Sequence, residues 1–165
     1  MASCPDDATI ARNLITRANE AVIKAKLQGK ITIPEYILNK PGPLSPEETD
    51  VMKSHPVAGY NICLPLKKNL GQALEVIRQH HEKLDGSGYP DGLKNEDIST
   101  ASRIMAVVDI YDALVTDRAY REGLPLEKAV EILRQEANKK KLDELVVGKL
   151  IEIVNENQKM TDKDS

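Results

Sequence analysis

At 165 residues the chain is long enough to bury one core, and one domain is the natural expectation. Apolar residues make up 41% and charged residues 30%, which reads as globular rather than disordered, and a formal net charge of -3 gives no reason to expect general nucleic-acid binding, a local basic patch staying open. With five Tyr and neither Phe nor Trp, the core is expected to be aliphatic.

Ile10, Leu14, Ala18, Val22 and Ala25 recur at helical spacing. They predict a first helix from a cap at Asp6 or Asp7 to about Gln28, with Leu27 on its apolar side and Gly29 as its stop. Ile31 to Ile33 is a β-branched connector, and Pro34 opens a short helix through Leu38. After a loop over 39–43, Ser45-Pro46-Glu47-Glu48 combines an N-cap, a proline in the first turn and a capping-box acid. That helix carries His55 towards its end, where Pro56 either breaks it or opens a second helix through about Cys63. Asn69 caps a helix from Leu70 to about Glu82, with Leu70, Ala73, Leu74, Ile77 and His81 on its buried stripe and His80 beside it. A loop over 83–97 follows.

Ser99 or Thr100 caps the most apolar helix, to about Asp117, with Ile104, Val107, Val108, Tyr111, Leu114 and Val115 inward. Asp109 falls between them, so it is expected to be largely buried and paired. Pro125 starts a helix to about Asn138 with Leu126, Ala129, Val130 and Leu133 inward. A final helix spans about Asp143 to Asn155 and uses Leu145, Val146, Leu150, Ile153 and Val154. The pattern contains no strand and no repeat, so the class is all-α. One domain is expected over 1–157, with a polar, frayed tail over 158–165.

The most informative stretch is Val76 to Pro90, V-I-R-Q-H-H-E-K-L-D-G-S-G-Y-P. It sets His80 beside His81, two of three histidines, with Glu82 next and then a glycine-punctuated turn. Neutral imidazole is a common ligand for borderline transition metals. Adjacent histidines leave a helix on different sides, so a helix end or bend is needed for both to reach one centre.

H-H-E-x-x-D-G-x-G-Y-P resembles the signature of the HD-GYP domain, the cyclic di-GMP phosphodiesterase branch of the HD superfamily. The segments I-P-E-Y-I-L-N-K-P-G from Ile33, K-S-H-P from Lys53, V-V-D-I-Y-D-A-L from Val107 and D-R-A-Y-R from Asp117 resemble further parts of that family. The resemblance covers about Gly29 to Ile151 and implies an HD-GYP-like bundle of about six or seven helices. It also implies a divalent metal centre, iron or manganese, with His55, His80, His81 and Asp109 as ligands. Lys30 would contact phosphate in catalysis, while Tyr89, Arg118 and Arg121 would bind substrate. Implied partners are cyclic di-GMP or a related nucleotide, and GGDEF-domain proteins.

One departure matters. The family's H-D-x-G-K is here Lys26-Leu27-Gln28-Gly29-Lys30, so the name-giving His and bridging Asp are missing. A single-metal site remains feasible with three or four ligands, whereas a bridged pair does not. Catalysis is therefore expected to be impaired or absent, the alternative being a non-catalytic interaction or nucleotide-binding module. Plainer roles compete at each position: His55 capping carbonyls, His80 and His81 bonded to Glu82 or Asp109, Arg118 and Arg121 in surface ion pairs. Cys4 and Cys63 are isolated and read as thiols in a reducing compartment. With no apolar run long enough for a bilayer and no leader pattern, the chain reads as cytoplasmic.

Overall fold

The structure is a computed structural model that describes residues 32–117 and 122–161, the last five by backbone alone. The helix expected to end near Gln28 lies outside the described residues. Within them the architecture is all-α. Eight helical segments follow in order: α1 Glu35–Leu38, α2 Pro46–Lys53, α3 His55–Cys63, α4 Lys67–Leu70, α5 Ala73–Gln79, α6 Thr100–Val115, α7 Leu126–Asn138 and α8 Glu144–Thr161. α1 and α4 are single turns. The described residues hold no strand, only an isolated antiparallel bridge between Asp85 and Lys94.

Several starts follow directly from local chemistry. The Ser45 hydroxyl accepts from the Glu48 amide while the Glu48 carboxylate accepts from the Ser45 amide, a complete capping box at α2. Ser99 caps α6 by accepting from the Ser102 amide. Pro56 sits in the first turn of α3, where its missing N–H costs nothing, so His55 opens a helix rather than closing one.

Three expectations are corrected. The continuous helix from Leu70 to Glu82 is divided: Gly71 takes φ +50, separating α4 from α5, and α5 stops at Gln79. His80 and His81 therefore follow the helix instead of lying on its stripe. His80 is the more buried of the two, the reverse of the expectation. Second, the buried residues of α6 are Ser102, Met105, Ala106 and Val107, so of the expected inward set Val107 is buried and Tyr111 and Leu114 pack partly buried on the main core. α6 is flanked by α5 on one side and by α7 and α8 on the other, so it buries more than a single stripe. Third, Leu145 is 85% exposed, and Val147, Leu150 and Ile151 carry the packing of α8, which continues to Thr161.

The main core joins Ala106 and Val107 of α6, Leu133 and Ala137 of α7, and Leu142, Val147, Leu150 and Ile151 at α8. A smaller cluster packs α3 on α5 through Cys63, Leu74 and Ile77, covered by Tyr60 and Leu70. Val76 against Met105 then ties α5 to α6. Gln79 reinforces that seam, because its side-chain oxygen accepts from the Ser99 amide and the Ser102 hydroxyl. Leu133 is fully buried at the centre of the main cluster. Leu133→Ala is expected to cost about 2–5 kcal/mol of unfolding free energy, read by chemical denaturation.

Candidate functional site

The three histidines meet where α3 begins and α5 ends. His55 is the first residue of α3, and its Nδ1 lies 2.8 Å from the Met52 carbonyl oxygen. His80 follows α5, and its Nδ1 lies 2.9 Å from the Ile77 carbonyl oxygen. A carbonyl can only accept, so each Nδ1 carries the proton and donates it. Both Nε2 atoms are then left with a lone pair. They face each other at 3.3 Å with both rings buried. Two acceptors at that distance need a proton or a cation between them. Two nitrogens about 2.05 Å from one tetrahedral ion stand about 3.3 Å apart, so the spacing suits a shared first-row divalent cation.

His81 completes the group: one nitrogen from each of the three rings lies within 4.8 Å of the others. The ring centroids of His80 and His81 are 4.1 Å apart. On the other side of His81, Asp109 from α6 brings Oδ2 to 4.0 Å from Nδ1, with both side chains partly buried. Asp109 is less enclosed than expected and stands beside the cluster as a carboxylate. Three neutral imidazoles and one carboxylate form a donor set that a divalent cation accepts.

The loop after His81 is held by an unusual anchor. Glu82 is 2% exposed, and among the described residues it forms no direct salt bridge. Its carboxylate accepts instead from the amides of Asp91 at 2.7 Å, Gly92 at 3.1 Å and Leu93 at 3.0 Å. Gly88 crosses directly over the Glu82–Lys83 backbone, where any Cβ would overlap Glu82 Cα and the Lys83 nitrogen. Tyr89 follows, donating its amide to the His81 carbonyl at 3.2 Å and laying its ring against His81 at 4.7 Å and 25°. The Tyr89–Pro90 bond is cis. Burial pushes the Tyr89 phenol up to about 12. Arg78 closes the loop from outside with two parallel bonds to Asp91, at 2.6 and 2.7 Å, and stands over the Tyr60 ring.

His55, His80, His81, Asp109 and Tyr89 thus converge, while Lys30, Arg118 and Arg121, like Lys26 and Leu27, lie outside the described residues. Sequence reasoning missed the roles of Glu82, Gln79, Arg78 and Asp91. The Glu82 anchor binds backbone amides, which carry no residue signature. Arg78 and Asp91 are opposite charges 13 residues apart that only the folded loop brings together.

A family model described as an HD domain matches residues 14–146. The chain is 44% identical over 106 residues to the cyclic di-GMP phosphodiesterase response regulator RpfG of Xanthomonas campestris, covering 64% of this chain and 28% of that protein. It is also 44% identical over 95 residues to the 3'3'-cGAMP-specific phosphodiesterase 2 of Vibrio cholerae, covering 57% and 18% respectively. It therefore spans less than a third of the length of these curated relatives. Among solved structures, Bd1817, an HDG"Y"P protein from Bdellovibrio bacteriovorus, shares the fold with a TM-score of 0.62. That match covers 77% of this chain and 40% of the other at 24% identity.

Glu82→Gln turns one acceptor into a donor that faces an amide, and is expected to cost about 1–3 kcal/mol in denaturation. It should also remove the ring-current shift that Tyr89 imposes on the His81 ring protons in NMR spectra. Tyr89 binds its proton more tightly folded than unfolded, so the protein should lose stability as pH rises from 10 to about 12. Tyr89→Phe should flatten that part of the stability–pH curve.

Proposed function

Because this chain belongs to the HD domain family, we propose that it is an HD-GYP-type cyclic-dinucleotide domain with a reduced metal centre and weakened or absent hydrolysis. The observation that carries this reading is the meeting of His55, His80 and His81, with two Nε2 lone pairs aimed at one point. The relatives described as phosphodiesterases of cyclic di-GMP and 3'3'-cGAMP support the substrate class. On this reading His55, His80, His81 and Asp109 hold one divalent ion, iron or manganese. Such an ion supplies positive charge against a phosphoryl oxygen and acidifies water.

The chain's own residues divide the remaining work. The Met52 and Ile77 carbonyls keep His55 and His80 in the tautomer that presents Nε2. Tyr89 covers one face of His81 and keeps water from it. Lys30, Arg118 and Arg121 bind the phosphodiester. Lys26-Leu27 supplies neither imidazole nor carboxylate, which leaves no bridging group for a second ion. The same departure favours a second reading, a non-catalytic module that binds a nucleotide or a GGDEF-domain protein.

Purified protein titrated with Mn2+ is expected to bind one equivalent. His80→Ala should weaken that binding by more than about 100-fold, beyond the range that supporting residues command. Turnover of cyclic di-GMP should be slow and should rise in the double variant Lys26→His, Leu27→Asp. No Mn2+ binding would remove the metal reading. Brisk turnover by the unaltered chain would overturn the impaired centre.

A further inference from the structure

Lys53 ends α2, two residues before His55, and its side chain is exposed. Its ammonium lies 5.8 Å from the centroid of the Tyr89 ring, the ring that stacks on His81. Some lysines here find carboxylates, such as Lys40 with Glu48, Lys139 and Lys141 with Glu136, and Lys149 with Glu152, while others, Lys67, Lys68 and Lys128 among them, make no ion pair with any described residue; what sets Lys53 apart is the aromatic ring its ammonium meets beside the histidines. Lys53 has Asp50 three residues earlier on the same helix, a spacing that commonly pairs. It nonetheless reaches the aromatic ring and makes no ion pair with any described residue. The ring itself does not drift, because the Glu82 carboxylate pins the backbone just beyond it at Asp91, Gly92 and Leu93.

A lone ammonium beside a cluster fitted for a divalent cation is electrostatically unfavourable by itself. An anion placed between the two reverses the sign for both. Lysine is a common phosphate partner, as a compact point charge on a long stem.

We propose that Lys53 is a substrate-binding residue, contacting a non-bridging oxygen of a phosphodiester at the mouth of the histidine cluster, with Tyr89 as its support. This rests on the cyclic-dinucleotide reading above and adds a residue to it.

The test is calorimetric titration of Mn2+-loaded protein with cyclic di-GMP and, separately, with inorganic phosphate, at low and high salt. Lys53→Gln is expected to weaken binding about tenfold and to flatten its salt dependence, whereas Lys53→Arg should stay within about threefold of the unaltered chain. Mn2+ affinity should not fall in either variant, which separates the role from damage to the fold. Nucleotide binding that ignores Lys53→Gln at both salt concentrations would overturn the proposal while leaving the proposed function standing. Lys53-dependent phosphate binding without nucleotide binding would support Lys53 and remove the dinucleotide. Failure of the unaltered chain to bind either anion would overturn both.

Discussion

The Glu82 carboxylate and the three amides it gathers are the constraint on which the rest of the site depends. A buried carboxylate is costly unless its oxygens are satisfied. Here that need is met by the far side of the loop, at Asp91, Gly92 and Leu93. Glu82 directly follows His81, so this link fixes the direction in which the chain leaves the histidines. It also closes the loop tightly enough that only a glycine fits where residue 88 crosses the Glu82–Lys83 backbone. Tyr89 is thereby delivered to the face of His81.

Two kinds of support meet at the cluster. His55 and His80 are oriented by carbonyls three residues earlier in the chain, Met52 and Ile77. These are short-range contacts that form with the local turn. His81 has its environment from farther away, Tyr89 in the loop and Asp109 on α6. The first pair supplies donor direction, and the second arrangement supplies cover and negative charge. Rigid elements position the donors, while a loop made unusually stiff by one side chain closes over them.

Much of this was legible beforehand where the signal is local. The capping box at Ser45, the cap at Ser99 and the proline at the start of α3 involve residues within a turn of each other. The motif around His80 also marked a segment that the fold brings together with His55. What failed was periodicity read across a hidden break. Gly71 interrupts the pattern from Leu70 onward, so counting placed His81 on a helical stripe when both histidines follow the helix end. Leu145 fits the spacing of α8 but has no neighbour to bury it. The inward face of α6 was read in part: Val107, Tyr111 and Leu114 meet the main core as expected, while Met105 and Ala106 were missed because helices flank α6 on two sides, which a single-stripe template does not represent. The three amides that Glu82 gathers were not legible, since a side-chain pattern carries no sign of a partner that is a peptide N–H group.

The separation of the His55 and His80 donors is inherited from hydrocarbon. One ring opens α3 and the other follows directly on α5, and the distance between those helices is set by Cys63, Leu74 and Ile77 under Tyr60. Close-packed interiors transmit a change of one methylene as a shift of the elements around it. The bore of the site, and with it the ionic radius that fits, is thus adjustable from residues that never touch the ion.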